Sequence, residues 1–462
     1  MKKTSRTLNI ELSERKLLLR IVDSIIIIIS LFTAFKYFAF QYVDFNHENI
    51  ILWLLTLIIY ILLIGEIFQL YDLNTSNNRF QVVRSIVATT FFITIAYVFT
   101  PIIAPFLPEN RIEVLYFYFI VTIPIIIWRF LYIWLLFSPR YFKNIVIIGH
   151  SSRLERLLPV IFAYKLHNIS NLISDRNQKG YNNYSNINDV DLVKLIKESS
   201  SSEVIISSTG FSYEIIKKLN QELILLFEEG INIKSFESYY EEITDRVPKE
   251  YLDHNFYKNI AFSKHNSSGL YLFFHRTIDV LVSFIGSFLF LFIIPFVFTC
   301  NLIGNKGPLF YIQERVGKKG RTFKILKLRS MKTDAEKNGA VWAKKNDTRI
   351  TRFGRFLRLT RLDEVPQFYN ILKGDMSLIG PRPERPEFVK ELEEQIPFYA
   401  IRHVVRPGLT GWAQVNYPYA NTIEEQETKL RYDLFYIKER SAFLDFKILI
   451  KTITTVLFFK GQ

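Results

Sequence analysis

Two adjacent acids, Asp363 and Glu364, stand in Arg358-Leu-Thr-Arg361-Leu-Asp363-Glu364-Val-Pro366, a segment otherwise apolar or basic but for Thr360. A carboxylate in such company can act as a nucleophile while its neighbour holds a cation. An adjacent acid pair alone usually marks a solvated helix face. Here bases bracket the pair, and apolar residues at Phe353, Phe356, Leu357, Leu359 and Leu362 predict an amphipathic helix over 352–372 with a break at Pro366. Neighbouring side chains on a helix point about 100° apart, so the two acids can do different jobs at one site.

Two further blocks supply cations. The run Gly307-Pro-Leu-Phe-Tyr-Ile-Gln-Glu-Arg-Val-Gly317 continues to Phe323-Lys-Ile-Leu-Lys-Leu-Arg-Ser-Met331, and its alternation reads as a strand that lines up Lys324, Lys327 and Arg329. Such a row suits phosphate oxygens, or more blandly a basic face near anionic lipid. The other block pairs two Gly/Pro turns, Gly380-Pro-Arg382-Pro383 and Arg406-Pro-Gly-Leu-Thr-Gly411, the second preceded by Arg402. An arginine in a rigid turn can fork onto phosphate.

The elements that carry these residues must sit beside a bilayer. The chain has 462 residues, 49% hydrophobic, with 58 Lys+Arg against 44 Asp+Glu and a formal charge of +14. That composition excludes disorder, and one cysteine, Cys300, excludes a disulfide-stapled fold. Four apolar segments, 17–42, 50–71, 85–108 and 114–137, are each long enough to span. Arg20, Asp23, Lys36 and Arg129 fall in the first and fourth, so those helices need snorkelling or packing partners. Basic residues concentrate in the N-terminal arm (Lys2, Lys3, Arg6, Arg15, Lys16), the second loop (Arg79, Arg84) and the exit (Arg140, Lys143). By the positive-inside rule both ends of the bundle are cytoplasmic. An acid interrupts the first apolar run and three more spans follow, so the N-terminus does not read as a cleavable signal peptide.

Residues 144–149 read as a buried strand ending in Gly149, followed by a helical pattern over 153–166. Strands at 203–208 and 231–236, a helix at 213–228 and a polar loop at 171–188 complete a small parallel α/β domain. A dinucleotide fingerprint needs three glycines, and Gly149-His-Ser-Ser-Arg-Leu154 has one. Tyr213 and Lys217 match a YxxxK spacing that a chain this rich in Tyr and Lys produces by chance. The domain therefore reads as degenerate. A fifth uncharged stretch, 280–305, precedes nine cations and one acid, Glu314, between Gly304 and Lys332, with Lys306 the first of the nine. Both of its flanks then read as cytoplasmic, which requires a helix that enters and returns at Pro295 or a recount of the earlier spans.

Taken together, GPLFYIQERVG, FKILKLRSM, LDEVPQFYNILKGDMSLIGPRP and RPGLTGWAQVNY resemble, in order and spacing, the bacterial sugar transferases, monotopic phosphoglycosyl transferases that start glycan assembly on polyprenol phosphate. The resemblance runs from about Tyr271 to the C-terminus, and the segments before it are similar to those of the large subgroup that includes undecaprenyl-phosphate glucose and galactose phosphotransferases. It implies a mixed membrane protein: four transmembrane helices (1–140), a degenerate Rossmann-like α/β domain (141–260), a linker and re-entrant membrane helix (261–305) and a mainly helical α+β catalytic domain (306–462) whose last helix, 443–459, lies at the interface. Asp363 falls on the nucleophile and Glu364 on its partner, both candidate Mg²⁺ ligands. Lys327, Arg329, Arg358, Arg382, Arg402 and Arg406 fall on substrate-binding positions. Pro295 falls on the helix-breaking proline, with Ile294 where a small polar residue often stands.

The implied reaction moves a sugar 1-phosphate from a UDP-sugar to polyprenyl phosphate through an aspartyl-phosphosugar with release of UMP, at the cytoplasmic face of the bacterial inner membrane. Expected partners are the UDP-sugar, polyprenyl phosphate, membrane lipid and downstream glycosyltransferases; a homodimer is allowed and nucleic acid is not expected. The competing readings are a membrane-tethered nucleotide-sugar dehydratase or epimerase working through the α/β domain and, last, a transporter or scaffold.

Overall fold

The computed structural model describes residues 12–38, 40–68, 70–71, 79–135, 144–164, 168–176, 183–207, 209–252, 268–305, 307–335, 347–417 and 420–457. Lys2, Lys3, Arg6, Arg140, Lys143 and Lys306 lie outside the described residues. The chain divides into two compact units, Met1–Phe236 and Glu237–Gln462.

In the first unit, α1 (Leu12–Tyr37), α2 (Ile50–Ile67), α3 (Arg79–Val98) and α4 (Ile112–Leu135) are each long and apolar enough to cross a membrane. They pack around Leu31, Leu57, Ile86, Ile93, Phe117 and Ile125. The third helix starts and stops earlier than the apolar run 85–108, because Pro101, Pro105 and Pro108 follow its end and cannot donate to a helical ladder. The charged residues of the bundle find partners: Arg129 pairs with Asp23 at 2.5 Å, both fully buried, and Arg20 pairs with Glu66. Lys36 lies over the Phe32 and Tyr37 rings.

The same unit holds a five-stranded parallel sheet of order β3-β2-β1-β4-β5, made of β1 (Asn144–Gly149), β2 (Asn168–Ser174), β3 (Tyr184–Asn186), β4 (Glu203–Ser207) and β5 (Asn232–Ser235). Helices α5 (Ser151–Tyr164), α6 (Leu192–Ser199) and α7 (Tyr213–Glu228) alternate with the strands. Ile145, Val146, Ile147 and Ile148 are all buried, as the continuous apolar run of a central parallel strand requires. The polar stretch 171–188, expected as a loop, contains the end of β2 and all of β3; these are outer strands with little apolar patterning to betray them. At the start of α5, where a dinucleotide would place its pyrophosphate, the Asp175 carboxylate accepts from the Ser151 N–H at 2.7 Å and from the Ser151 hydroxyl at 3.1 Å. The chain's own anion fills that position. Tyr213 merely opens α7 and stands exposed.

The second unit begins before the boundary expected at 260. Helix α8 (Phe236–Thr244) leads into Val247, Tyr251 and Leu252, which pack on Leu430 and Leu434, and Arg431 Nε donates to the Val247 carbonyl at 2.8 Å. Next comes α9 (Gly269–Gly304), 36 residues whose helical geometry continues through Pro295. Its buried stripe is Asp279, Ser283, Phe290, Val297 and Asn301, and Gly286 between them lies under the Phe368 ring, where a Cβ would not fit. Opposite faces expose Phe284, Phe288, Leu291 and Phe292.

The remaining elements are an antiparallel hairpin, β6 (Phe310–Val316) and β7 (Thr322–Leu328); helices α10 (Arg352–Leu359) and α11 (Gln367–Lys373); a two-stranded parallel ladder, β8 (Ser377–Ile379) with β9 (Gly408–Thr410), that flanks α12 (Pro386–Gln395); and α13 (Trp412–Asn416), α14 (Ile423–Glu439) and α15 (Ala442–Leu457). A complete capping box, Thr422 with Glu425, starts α14. On α15, Lys447 and Lys451 lie over the Trp412 ring at 4.9 and 4.6 Å, and Leu444 and Ile448 enter the core. These lysines face the protein, and Phe443, Phe446 and Ile453 form the exposed apolar face.

Candidate active site

The helix expected over 352–372 is two helices. It ends at Leu359; Arg361 adopts a left-handed conformation (φ 58°), and Leu362–Glu364 form one tight turn before α11 begins at Gln367. This kink lies ahead of Pro366 and turns both acids inward, where Leu362 and Val365 pack on Phe290, Ile294, Val297, Leu328 and Leu357. Asp363 and Glu364 are both buried.

The carboxylates differ in their surroundings. Glu364 Oε1 lies 2.9 Å from Arg382 Nη2, 3.6 Å from Arg361 Nη1 and 3.8 Å from Lys327 Nζ. Burial favours its neutral form, but Arg382, Lys327 and Arg361 more than offset this and hold it down at about 2. Asp363 Oδ1 has no hydrogen-bond partner among the described residues. Burial first, and then the Glu364 charge, push its carboxyl up to about 6 against the pull of Lys327 and Arg358. One acid is thus held ionised by the cations around it, and the other is a desolvated carboxyl with one unpartnered oxygen. That is the divergence expected of paired carboxyls with separate roles. Burial likewise lowers the Lys327 ammonium to about 8.

The structure brings together some of the expected bases and not others. Lys327, Arg358 and Arg382 converge on the acids, with Arg358 Nε donating to the Ser330 hydroxyl at 2.9 Å. Arg329 is buried elsewhere: its guanidinium donates to the Pro308 carbonyl at 2.7 Å and to Asn305, tying β7 to the end of α9. Arg402 is buried against Asp433 at 2.7 Å and donates to the Arg382 carbonyl at 3.0 Å, so it orients the loop that presents Arg382. Arg406 lines a separate cavity with Lys318 and Arg276. Lys324 and Lys327 do not form a row, because residues three apart on a strand face opposite sides. Lys324 stands across from Glu314 and Lys327 across from Tyr311.

Several positioning residues carried no sequence signal of their own. Asn370 on α11 accepts from the Leu326 N–H at 3.0 Å and donates to the Lys324 carbonyl at 2.7 Å, so one buried amide pins α11 to β7. Gly354 is the point where α10 touches the Ser330 carbonyl. Arg315 donates to the Pro383 carbonyl at 3.1 Å and lies 3.7 Å from Glu384. Only a buried Asn in an apolar helix, and a Gly in a helix interior, could have hinted at these roles.

The two acids can supply only part of a metal's coordination sphere, and among the described residues no cluster of three or more His, Cys, Asp or Glu exists. The free Asp363 oxygen nevertheless suits a hard cation that takes its remaining oxygens from a diphosphate and water, the habit of Mg²⁺.

Residues 270–459 match the family model described as bacterial sugar transferase. Over 217 residues the chain is 42% identical to the UDP-N-acetylgalactosamine-undecaprenyl-phosphate N-acetylgalactosaminephosphotransferase of Aeromonas hydrophila, covering 47% of this chain and 50% of the relative. Over 196 residues it is 39% identical to the UDP-glucose:undecaprenyl-phosphate glucose-1-phosphate transferase of Klebsiella pneumoniae, covering 42% and 41%. The chain therefore spans half or less of the length of these two relatives. Over 142 residues it is 49% identical to a putative undecaprenyl-phosphate N-acetylgalactosaminyl 1-phosphate transferase of Bacillus subtilis (strain 168), covering 31% of this chain and 79% of the relative. Through its C-terminal unit, the chain belongs to the bacterial sugar transferase family.

Proposed function

We propose that the protein transfers a sugar 1-phosphate from a UDP-sugar to polyprenyl phosphate. The observation that carries this reading is the buried Asp363, with one oxygen unpartnered beside a Glu364 neutralised by three cations. An Asp363 oxygen attacks the β-phosphorus of the sugar nucleotide. The bond from that phosphorus to the bridging oxygen breaks, and UMP leaves with the electron pair. An oxygen of the lipid phosphate then attacks the same phosphorus and expels the Asp363 carboxylate, leaving a polyprenyl-diphosphosugar for a glycosyltransferase to extend. A carboxylate approaching a diphosphate meets like charge; Lys327, Arg358 and Arg382 offset it where charge accumulates. Asp363 and Glu364 would hold Mg²⁺, which when bound withdraws further charge from the diphosphate.

Helix α9 supports a monotopic arrangement on the cytoplasmic face of the inner membrane. At one end Asp279 accepts from the Ser377 hydroxyl at 3.0 Å and the Leu378 N–H at 2.8 Å; at the other Asn305 donates to the Arg329 carbonyl at 2.6 Å. Both ends hold the same unit, and the stripe between them is buried against it, which favours a helix held to one leaflet over one that crosses; the break expected at Pro295 is not formed, the helix running through it. The dehydratase or epimerase reading gains nothing, since Asp175 fills the nucleotide position.

The Asp363→Asn variant tests the reaction. Purified in membranes and offered a panel of UDP-sugars, it should insert normally yet lose UMP release by more than about 10³-fold, as nucleophile removal does. Wild-type turnover by this variant would end the proposal, and the sugar that supports release in the wild type identifies the donor.

A further inference from the structure

A cavity of about 470 Å³ opens at the N-terminal end of α9, lined by Arg276, Lys318, Arg406 and Arg440 together with Leu272 and Phe273. Two of its four cations are already held by the protein. Arg276 donates to the carbonyls of Ile371 and Leu372 at 2.7 and 2.9 Å, and Arg440 donates to the Tyr271 hydroxyl at 3.1 Å. The side chains of Lys318 and Arg406 have no hydrogen bond or ion pair to a described residue. Burial first, and then Arg406, Lys319 and Arg440, press the Lys318 ammonium below its ordinary range. Two acids near this end answer the held cations: Asp279, which accepts from Ser377 and Leu378, lies 3.9 Å from Arg276, and Asp445, which accepts from Tyr271 and Tyr436, acts on Arg440. Neither acid makes an ion pair with Lys318 or Arg406, so among the described residues two of the four converging cations are left unanswered.

We infer that this cavity is a binding site for the phosphate group of an anionic membrane lipid, distinct from the catalytic acid pair. Free phosphate would satisfy the same cations, but the rim argues for a lipid. Leu270, Phe273 and Phe274 on α9 and Val404 beside the cavity expose apolar side chains that continue into the exposed face of α9, where acyl chains can lie. The site is not the reaction centre. Leu362 and Val365 around the acid pair pack at the level of Phe290–Val297 on α9, whereas the cavity lies at 269–276, about 20–40 Å away along a helix that rises ~1.5 Å per residue. The inference stands whether or not the proposed transfer reaction does.

The test uses the full chain in nanodiscs of phosphatidylcholine, titrated with dioctanoyl phosphatidylglycerol while the thermal midpoint is read. The wild type should show a saturable rise that dioctanoyl phosphatidylcholine does not give. Inorganic phosphate at matched concentration should give none. In Lys318→Glu the concentration needed should increase by roughly tenfold or more. Lys318→Gln, which keeps the stem and removes only the charge, should be intermediate and guards against a variant that fails to fold. An equal rise with phosphatidylcholine, a full rise with inorganic phosphate, or an unchanged titration in both variants overturns the proposal.

Discussion

Asp363 and Glu364 divide their labour through surroundings rather than identity. In the proposed reaction Asp363 must be ionised to attack, and its carboxyl is raised to about 6, so UMP release should be lost as pH falls through about 6 and be restored above it. Glu364 stays ionised down to about 2 and cannot set that limb. In Glu364→Gln one of the two causes that raise Asp363 is gone and burial remains, so the acid limb should move to lower pH while the maximal rate falls. Rate–pH profiles of both proteins check this; an unmoved limb in the variant would show that Glu364 exerts no field on Asp363. The acid pair and its nearest bases were legible in the sequence, because charged residues inside an apolar segment stand out. The separation of Arg329, Arg402 and Arg406 from the acids was not, since an arginine on a motif gives no sign of whether its partner is a substrate or a buried carbonyl.

At the scale of elements, long apolar runs and a periodic helix were readable, and α7 falls at Tyr213–Glu228 where the pattern put it. The kink at Arg361 was hidden because the apolar spacing continues across it. Close packing was hidden as well. A Cβ on Gly354 would strike the Ser330 carbonyl, and backbone cannot swing aside as a side chain can. Gly354→Ala should therefore shift α10, displace Arg358 from Ser330, and destabilise the unit by about 1–3 kcal/mol, the usual cost of overpacking. A thermal midpoint lower than wild type, accompanied by slower UMP release, is the expected result; unchanged values would mean that α10 and the strand end adjust freely.

For the whole molecule, residues 237–252 belong to the C-terminal compact unit rather than to the α/β domain drawn to 260, because Val247, Tyr251 and Leu252 reveal their partners only across about 180 positions of sequence. The path of α9 is decided by topology. In a Cys300→Ser background, cysteines introduced at Leu270 and Lys306 should react with a membrane-impermeant maleimide from the cytoplasmic side alone, as a helix that returns requires. Labelling from opposite sides would establish a crossing helix and reassign the earlier spans.

The pin made by Asn370 has a consequence for timing. Because α11 and β7 share one buried amide, Lys327 on the strand and the acids just before the helix belong to a single rigid body. In the proposed reaction, a sugar nucleotide would then meet a charge array that is already assembled, and no closing motion between these elements would have to precede the first phosphoryl step.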